Sequence, residues 1–360
     1  MLFTVKKQIK QYLKNPVYII GAIIVCIYTF YLCSDFLNII PVNEKSISQK
    51  VNEDDLGDVD INSGYIPTTK EDRYSIGFKN LSKELKEGFG LKDEEIEEII
   101  SKMKEENMSF EEIGRYMEKN FSFIGAEQYF YEANLKKGSL EEVNKYIDDS
   151  LKKENFSNYF SRKYAEYLSV SLIFYSIIIA AFLFNKETKK DLYELLHTKP
   201  IKGYKFIVGK ILGGILSILI VVSIITILFD ILLVIKGAAE SIPISFIDIW
   251  KYVLWCVIPC ILFIVSITSC ITLIFKTSLP SIPILFLHMV YSNMGSHDIH
   301  GIYVYKLRSF SLVIRFPNCF FTSLSNSDIQ SIWINQIALI LVSIVCISVS
   351  IIFWNRRRQL

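Results

Sequence analysis

The sequence predicts an all-α integral membrane protein, with six transmembrane helices and a helical extracytoplasmic domain between the first two. Three observations carry this expectation. Of the 360 residues, 51% are hydrophobic, and mean hydropathy is +0.33, high for a soluble domain. The apolar residues are gathered into long runs, leaving one polar stretch at 41–163. Charge divides in the same way: 41–163 holds 19 Lys and Arg against 27 Asp and Glu, a balance of −8, while the remainder carries +10.

A bilayer core about 30 Å thick needs about 20 apolar residues in a helix. Residues 17–40, 166–184, 211–235, 252–275 and 333–354 qualify. The corresponding segments are 16–40, 166–184, 206–236, 250–275 and 333–355. A sixth run, Leu279–Tyr291 within the segment 279–292, is shorter and carries Pro280 and Pro283. Alone it fits a re-entrant segment as well as a crossing. The first run exceeds the apolar part of a cleaved leader, and no A-x-A-like site follows Ile40, so it reads as a retained helix.

Orientation follows from the flanking cations. Residues 1–15 carry Lys6, Lys7, Lys10 and Lys14. The loop 185–205 carries Lys186, Lys189, Lys190, Lys199, Lys202 and Lys205, and the tail 356–360 carries Arg356, Arg357 and Arg358. All three belong in the cytoplasm of a multi-pass plasma-membrane protein. Two cytoplasmic termini demand an even number of crossings, so 279–292 must be the sixth. In 1–15, Leu2, Phe3, Ile9 and Leu13 alternate with lysines. This suits a helix on the inner membrane surface, or a basic flank that only sets topology.

The extracytoplasmic stretch opens with 41–75, rich in Asn, Asp, Ser and Gly and without periodicity, which predicts an extended or flexible segment. From Phe78 the spacing turns helical. Ser109 with Glu112, and Ser139 with Glu142, are capping boxes. Helices are expected at Lys92–Glu106, Ser109–Asn120, Phe123–Leu135, Ser139–Lys152 and Asn155–Tyr167, the last able to run into the second crossing. The domain could bind a ligand, gate access, dock a partner or act as a spacer. The run Asp93–Glu98 reads as a solvated helix face. An acidic domain argues against nucleic acid as a partner. None of the seven cysteines lies in 41–163, so disulfides do not staple it.

Motifs for catalysis or metal binding are weak. His297 and His300 flank Asp298 at i, i+3 without a third strong ligand nearby, which reads as a polar loop. Cys256 and Cys260 lie in an apolar run, where Cys behaves as a small hydrophobe. No metal site is assigned. H-E-x-x-H is absent. Glu111, Glu112 and Arg115 are similar to paired-glutamate membrane proteases, but they lie in the polar domain, where a water-excluding intramembrane site cannot form. G-x-x-x-x-G-K-[ST] is also absent, since Gly209–Lys210 is followed by Ile211. No catalytic residue is assigned, and energy for any active transport must come from another chain. Asp35 and Asp230 fall inside apolar runs, where an ionised group faces protein or water. Asp230 is the candidate for a translocation path, against a plain interhelical hydrogen bond. Gly209 and Gly213 form G-x-x-x-G, which favours close helix approach.

The most informative stretch is Asn185–Gly214. Leu192, Leu195 and Leu196 form the apolar edge of a short charged helix that Pro200 ends. Such a helix, joined to two membrane helices, can dock in a groove of a partner or simply cap the hairpin. The stretch resembles the loop of ABC transporter permeases of the type-2 exporter class, through Glu187, Glu194, Leu195, Leu196, Pro200, Gly209 and Lys210. Asp191–Tyr193 stands where the family often has a Gly-Thr-like step.

The resemblance implies six crossings, both termini inside, and a coupling helix between the second and third. It also implies short helices in the outer loop 293–332, where Tyr303–Phe316 reads as amphipathic. It covers about 230 residues and omits 41–163. By it, Lys186–Lys205 would contact a separate nucleotide-binding subunit that binds ATP and Mg2+. Glu194, Leu195 and Leu196 would make the contact, with Glu187 and Lys199 as charged rim. A second permease chain would complete the path. The chain itself is then no enzyme and holds no cofactor. The alternative reading is a membrane sensor whose outer helices bind a peptide without transport.

Overall fold

Among the described residues of the computed structural model, length and apolarity single out five helices as able to cross a bilayer: Pro16–Cys33, Phe156–Ala181, Gly203–Ala239, Phe246–Phe275 and Asn326–Arg356. The structure describes residues 1–37, 61–185, 187–188, 196, 202–294, 296–297, 303–304, 307–316 and 321–356. In chain order the helices are α1 (Leu2–Leu13), α2 (Pro16–Cys33), α3 (Lys70–Glu87), α4 (Asp93–Glu105), α5 (Phe110–Phe121), α6 (Gln128–Glu132) and α7 (Leu140–Lys153). They continue with α8 (Phe156–Ala181), α9 (Gly203–Ala239), α10 (Phe246–Tyr252), α11 (Ile258–Phe275), α12 (Ser281–Asn293) and α13 (Asn326–Arg356). Strands are few and short: β1 (Tyr65–Pro67), β2 (Leu135–Lys137), β3 (Ser296–His297) and β4 (Tyr303–Val304).

The chain divides into two compact units. One takes in Met1–Ile40, Ser150–Met294 and Leu307–Leu360, and the other Pro41–Asp149 and Gly295–Lys306. The first is the apolar unit. Asn15 caps α2, its side chain accepting the Val17 N–H at 3.0 Å, with Pro16 at the first helical position. Between α10 and α11 the helix widens into a π turn at Val253–Val257, where the Ile258 N–H reaches back to the Val253 carbonyl. Pro259 explains the position. It has no N–H to give the preceding turn, and the wider step absorbs that loss without ending the helix.

The core of the apolar unit joins Ile173 and Ile177 of α8, Cys260, Phe263 and Ile264 of α11, Leu285 of α12, Leu312, Val313, and Leu339 of α13. In lipid, burial from water does not drive helices together, so small side chains and close packing must. α11 and α13 pack most extensively, through buried small residues: Ser266, Ser269 and Cys270 on α11, Ser343 and Ser350 on α13. Ser269, Thr272, Ser343 and Ser350 each return a hydroxyl bond to the carbonyl four residues back, which satisfies them without a partner helix. Outward faces are aliphatic, as at Ile23, Ile24 and Ile27, or Ile224, Ile231 and Ile235.

The polar unit is built around Phe130. Its ring meets Phe78 edge-on at 5.1 Å and stacks on Phe110 at 5.2 Å, within a buried cluster that includes Leu81, Leu85, Ile96, Met103, Ile113 and Met117. Gly77 lies beneath that ring, where any Cβ would collide with it. Reciprocal side-chain bonds cap α3 (Thr69 with Asp72) and α5 (Ser109 with Glu112). Ser139 and Glu142 make the same exchange before α7. β1 and β2 pair antiparallel, Tyr65 opposite Lys137.

Three expectations need correction. The segment 41–75 was expected to be extended or flexible, yet its described part, from Ile61, holds β1 and the start of α3, fixed by the Thr69–Asp72 cap. No helix spans Phe123–Leu135. Ser122 is left-handed, Gly125 has φ +86°, only Gln128–Glu132 is helical, and Leu135 belongs to β2. The short sixth run forms the 13-residue helix α12. Tyr303–Phe316 is not an amphipathic helix: Tyr303–Val304 is β4, and 307–316 is non-helical.

Candidate functional site

At one end of the apolar unit, α1 lies along the first turns of α9. The helices approach closely because α9 presents glycine there. A Cβ on Gly213 would stand 2.7 Å from Gln8 Cβ, and one on Gly209 would stand 3.1 Å from Thr4 Cβ and 3.2 Å from the Met1 carbonyl. One turn beyond Gln8, Tyr12 also pins α1, its hydroxyl donating to the Ile179 carbonyl of α8 at 2.8 Å. Burial pushes that phenol up, so it stays a donor.

Just beyond α8, Glu187 turns inward. Its Oε1 lies 2.6 Å from Lys210 Nζ, and the side chains are 18% and 5% exposed. The ammonium also sits 4.9 Å from the centre of the Phe184 ring and 5.9 Å from that of Phe206. Phe206 in turn stacks on Trp354 of α13 at 5.0 Å. Glu187 was expected on the charged rim of a partner contact; here it is an internal partner of α9. Its Oε2 is buried with no hydrogen bond among the described residues. Glu194, Leu195, Lys199 and Pro200 lie outside the described residues, and so does most of the expected loop 185–205. Leu196 is described only as helical and half-buried.

Asp230 is buried within α9, and Trp250 of α10 donates its indole N–H to Oδ2 at 2.9 Å. Oδ1 has no hydrogen bond among the described residues. One turn earlier, Thr226 hydrogen-bonds Tyr164 of α8 at 2.9 Å, and Phe229 packs on the Tyr164 ring at 4.9 Å. Asp35 lies in an exposed 3-10 turn after α2. Of the histidine pair, His297 is in β3 and His300 lies outside the described residues.

A second polar constellation was not foreseen. The first turns of α8 bury Arg162, Lys163 and Glu166. Arg162 pairs with Glu154 at 2.8 Å and covers the Tyr159 ring, while Lys163 lies 3.5 Å from Glu166. Ser157 donates to Asp248. Glu166 also accepts the Phe316 N–H at 3.1 Å, from the non-helical stretch 307–316. Within that stretch Ser311, Leu312, Val313 and Ile314 are buried, and side chains hydrogen-bond the backbone of Ser311, Leu312 and Val313. Asn335 holds Ser311, Ser292 accepts the Leu312 N–H at 3.1 Å, and His288 Nε2 bonds the Phe310 carbonyl at 2.7 Å. Irregular backbone among membrane helices requires such protein partners. The charges of α8 were visible in the sequence, but their proximity to Asp248 and Phe316 was not.

The comparisons with curated proteins and with solved structures find no match. A family model matches residues 142–294, which take in α8 to α12 and the stretch between α8 and α9. That model describes the ABC-2 family transporter proteins, and the similarity of residues 142–294 to it is consistent with an ABC-2 type permease.

Proposed function

We propose that this chain is the transmembrane permease subunit of an ATP-driven ABC exporter, with ATP and Mg2+ bound by a separate nucleotide-binding subunit. The match of residues 142–294 to the ABC-2 family transporter proteins carries this reading. Five apolar helices and an even-parity charge pattern support six crossings, with α12 as the short fifth and both termini in the cytoplasm. The polar unit then stands outside. A second permease chain completes the path, and Asp230, buried at the α9–α10 contact, borders it. The cargo class is amphipathic: a peptide, an antibiotic or a lipid. The cytoplasmic stretch with Glu194, Leu195, Leu196, Lys199 and Pro200 meets the ATPase subunit, and ATP binding moves it to switch the path between sides.

Co-purification tests the reading. The native chain, purified in detergent from its host membrane, is expected to retain a nucleotide-binding subunit of the ABC class. Replacing Glu194, Leu195 and Leu196 together with Ala releases the subunit and lowers ATP turnover while the permease stays folded. If the native chain retains no ATPase, a membrane sensor with a peptide-binding outer unit is the better reading.

A further inference from the structure

A buried ion pair at a helix terminus is costly unless it fixes geometry, because desolvation offsets most of its attraction. Glu187 and Lys210 stand 23 positions apart in sequence, on either side of the stretch that links α8 to α9. Their carboxylate and ammonium meet at 2.6 Å with little exposure. The same ammonium is held between the Phe184 and Phe206 rings, one from each flank. One turn on, Gly213 brings α9 against Gln8 of α1, and Gly209 brings it against Thr4. The start of the linking stretch, α9 and α1 therefore share one set of close contacts.

We infer that Glu187 and Lys210 are a positioning pair, a joint that makes the cytoplasmic stretch move with α9 and, through Gly209 and Gly213, with α1. This rests on the exporter reading. The pair touches neither nucleotide nor cargo. It converts displacement of the stretch by the ATPase subunit into displacement of α9, which carries Asp230. A neutral hydrogen bond would not serve as well, since the charged pair is shorter and about twice as strong. Lys210 on a flexible stem is fixed here by two rings in addition to its partner.

The test uses the complex with its co-purified ATPase subunit. Glu187→Gln alone strands a buried ammonium and risks misfolding, so the informative variant is the double neutral one, Glu187→Gln with Lys210→Met. It is expected to keep the native subunit ratio and the native KM for ATP, while kcat falls by roughly tenfold, the scale of one lost positioning contact. The reversed pair, Glu187→Lys with Lys210→Glu, is expected to restore kcat to within about twofold of native. Native turnover in the double neutral variant overturns the inference, as does a reversed pair no faster than the double neutral one. A native chain that retains no ATPase fails earlier in the experiment, and overturns the exporter reading together with the joint.

Discussion

Asn335 holds the backbone of Ser311 at both ends of its amide: Nδ2 donates to the Ser311 carbonyl at 2.9 Å, and Oδ1 accepts the Ser311 N–H at 2.8 Å. The two residues are 24 apart in sequence, and both are buried. This exchange anchors the non-helical stretch 307–316 to α13. Replacing Asn335 with Leu removes both bonds and costs about 1–3 kcal/mol for the polar groups left without them. Purified Asn335→Leu protein should melt at a lower temperature in detergent than the native chain, read by the fluorescence of its four tryptophans. An unchanged melting point would show that the stretch is held by other means.

Gly213 sets the distance between α1 and α9. The Cβ of Gly213→Ala would stand 2.7 Å from Gln8 Cβ, with the Val5 carbonyl at 3.3 Å behind it. Neither neighbour is the far end of a flexible chain, so α1 must shift, at about 1–3 kcal/mol. Trypsin should then cut faster after Lys6, Lys7 and Lys10. Gly209→Ala meets atoms at 3.1 Å and 3.2 Å and should have a smaller effect. Equal cleavage rates for Gly213→Ala and native protein would refute the assignment.

The polar unit should be most stable near neutral pH. Lys136 bonds Asp72 at 2.8 Å. Together with the Thr69 N–H, it holds the Asp72 carboxyl below its ordinary 3.8. The Ser109 backbone and hydroxyl lower Glu112 below 4.5, and Ser139 does the same for Glu142. A depressed carboxyl contributes stability that is full above its unfolded value and is lost as pH falls through the folded one. Asp72 raises Lys136 above 10.5, so that contribution is full below 10.5 and is lost as pH rises through the folded value. Hydrogen-exchange protection of the α3 amides, corrected for intrinsic rates, should therefore fall on both sides. Asp72→Asn should flatten the alkaline limb and shrink the acid one. A mutant profile identical to native would exclude the pair as its cause.

Local signals explain what the sequence disclosed. Long aliphatic runs gave five helices because a helix of that length and apolarity has few alternatives. Ser109–Glu112 and Ser139–Glu142 were readable because a cap is written within four residues. Thr69–Asp72 is the same device with a shorter acid, and it lay in a stretch whose composition suggested flexibility. Leu135 looked helical by spacing, but β2 pairs it with Pro67, 68 positions away, and no local pattern reports that. Phe310–Phe316 was misread for a similar reason: its partners are Glu166, His288, Ser292 and Asn335, on three different helices. Glu187 and Lys210 were each noticed as part of a family pattern. That one neutralises the other required the fold.

The helices of the apolar unit differ greatly in length. At about 1.5 Å per residue, the 37 residues of α9 extend about 55 Å, while the 13 of α12 reach about 20 Å. No flat sheet of lipid about 30 Å deep matches both. On the six-crossing reading, lipids beside α12 compress and α9 tilts or projects, at a fraction of a kcal/mol per ångström of mismatch. The acyl-chain length of the host membrane thus becomes a variable that acts on this protein with no ligand bound, favouring whichever arrangement of the helices best fits the local thickness.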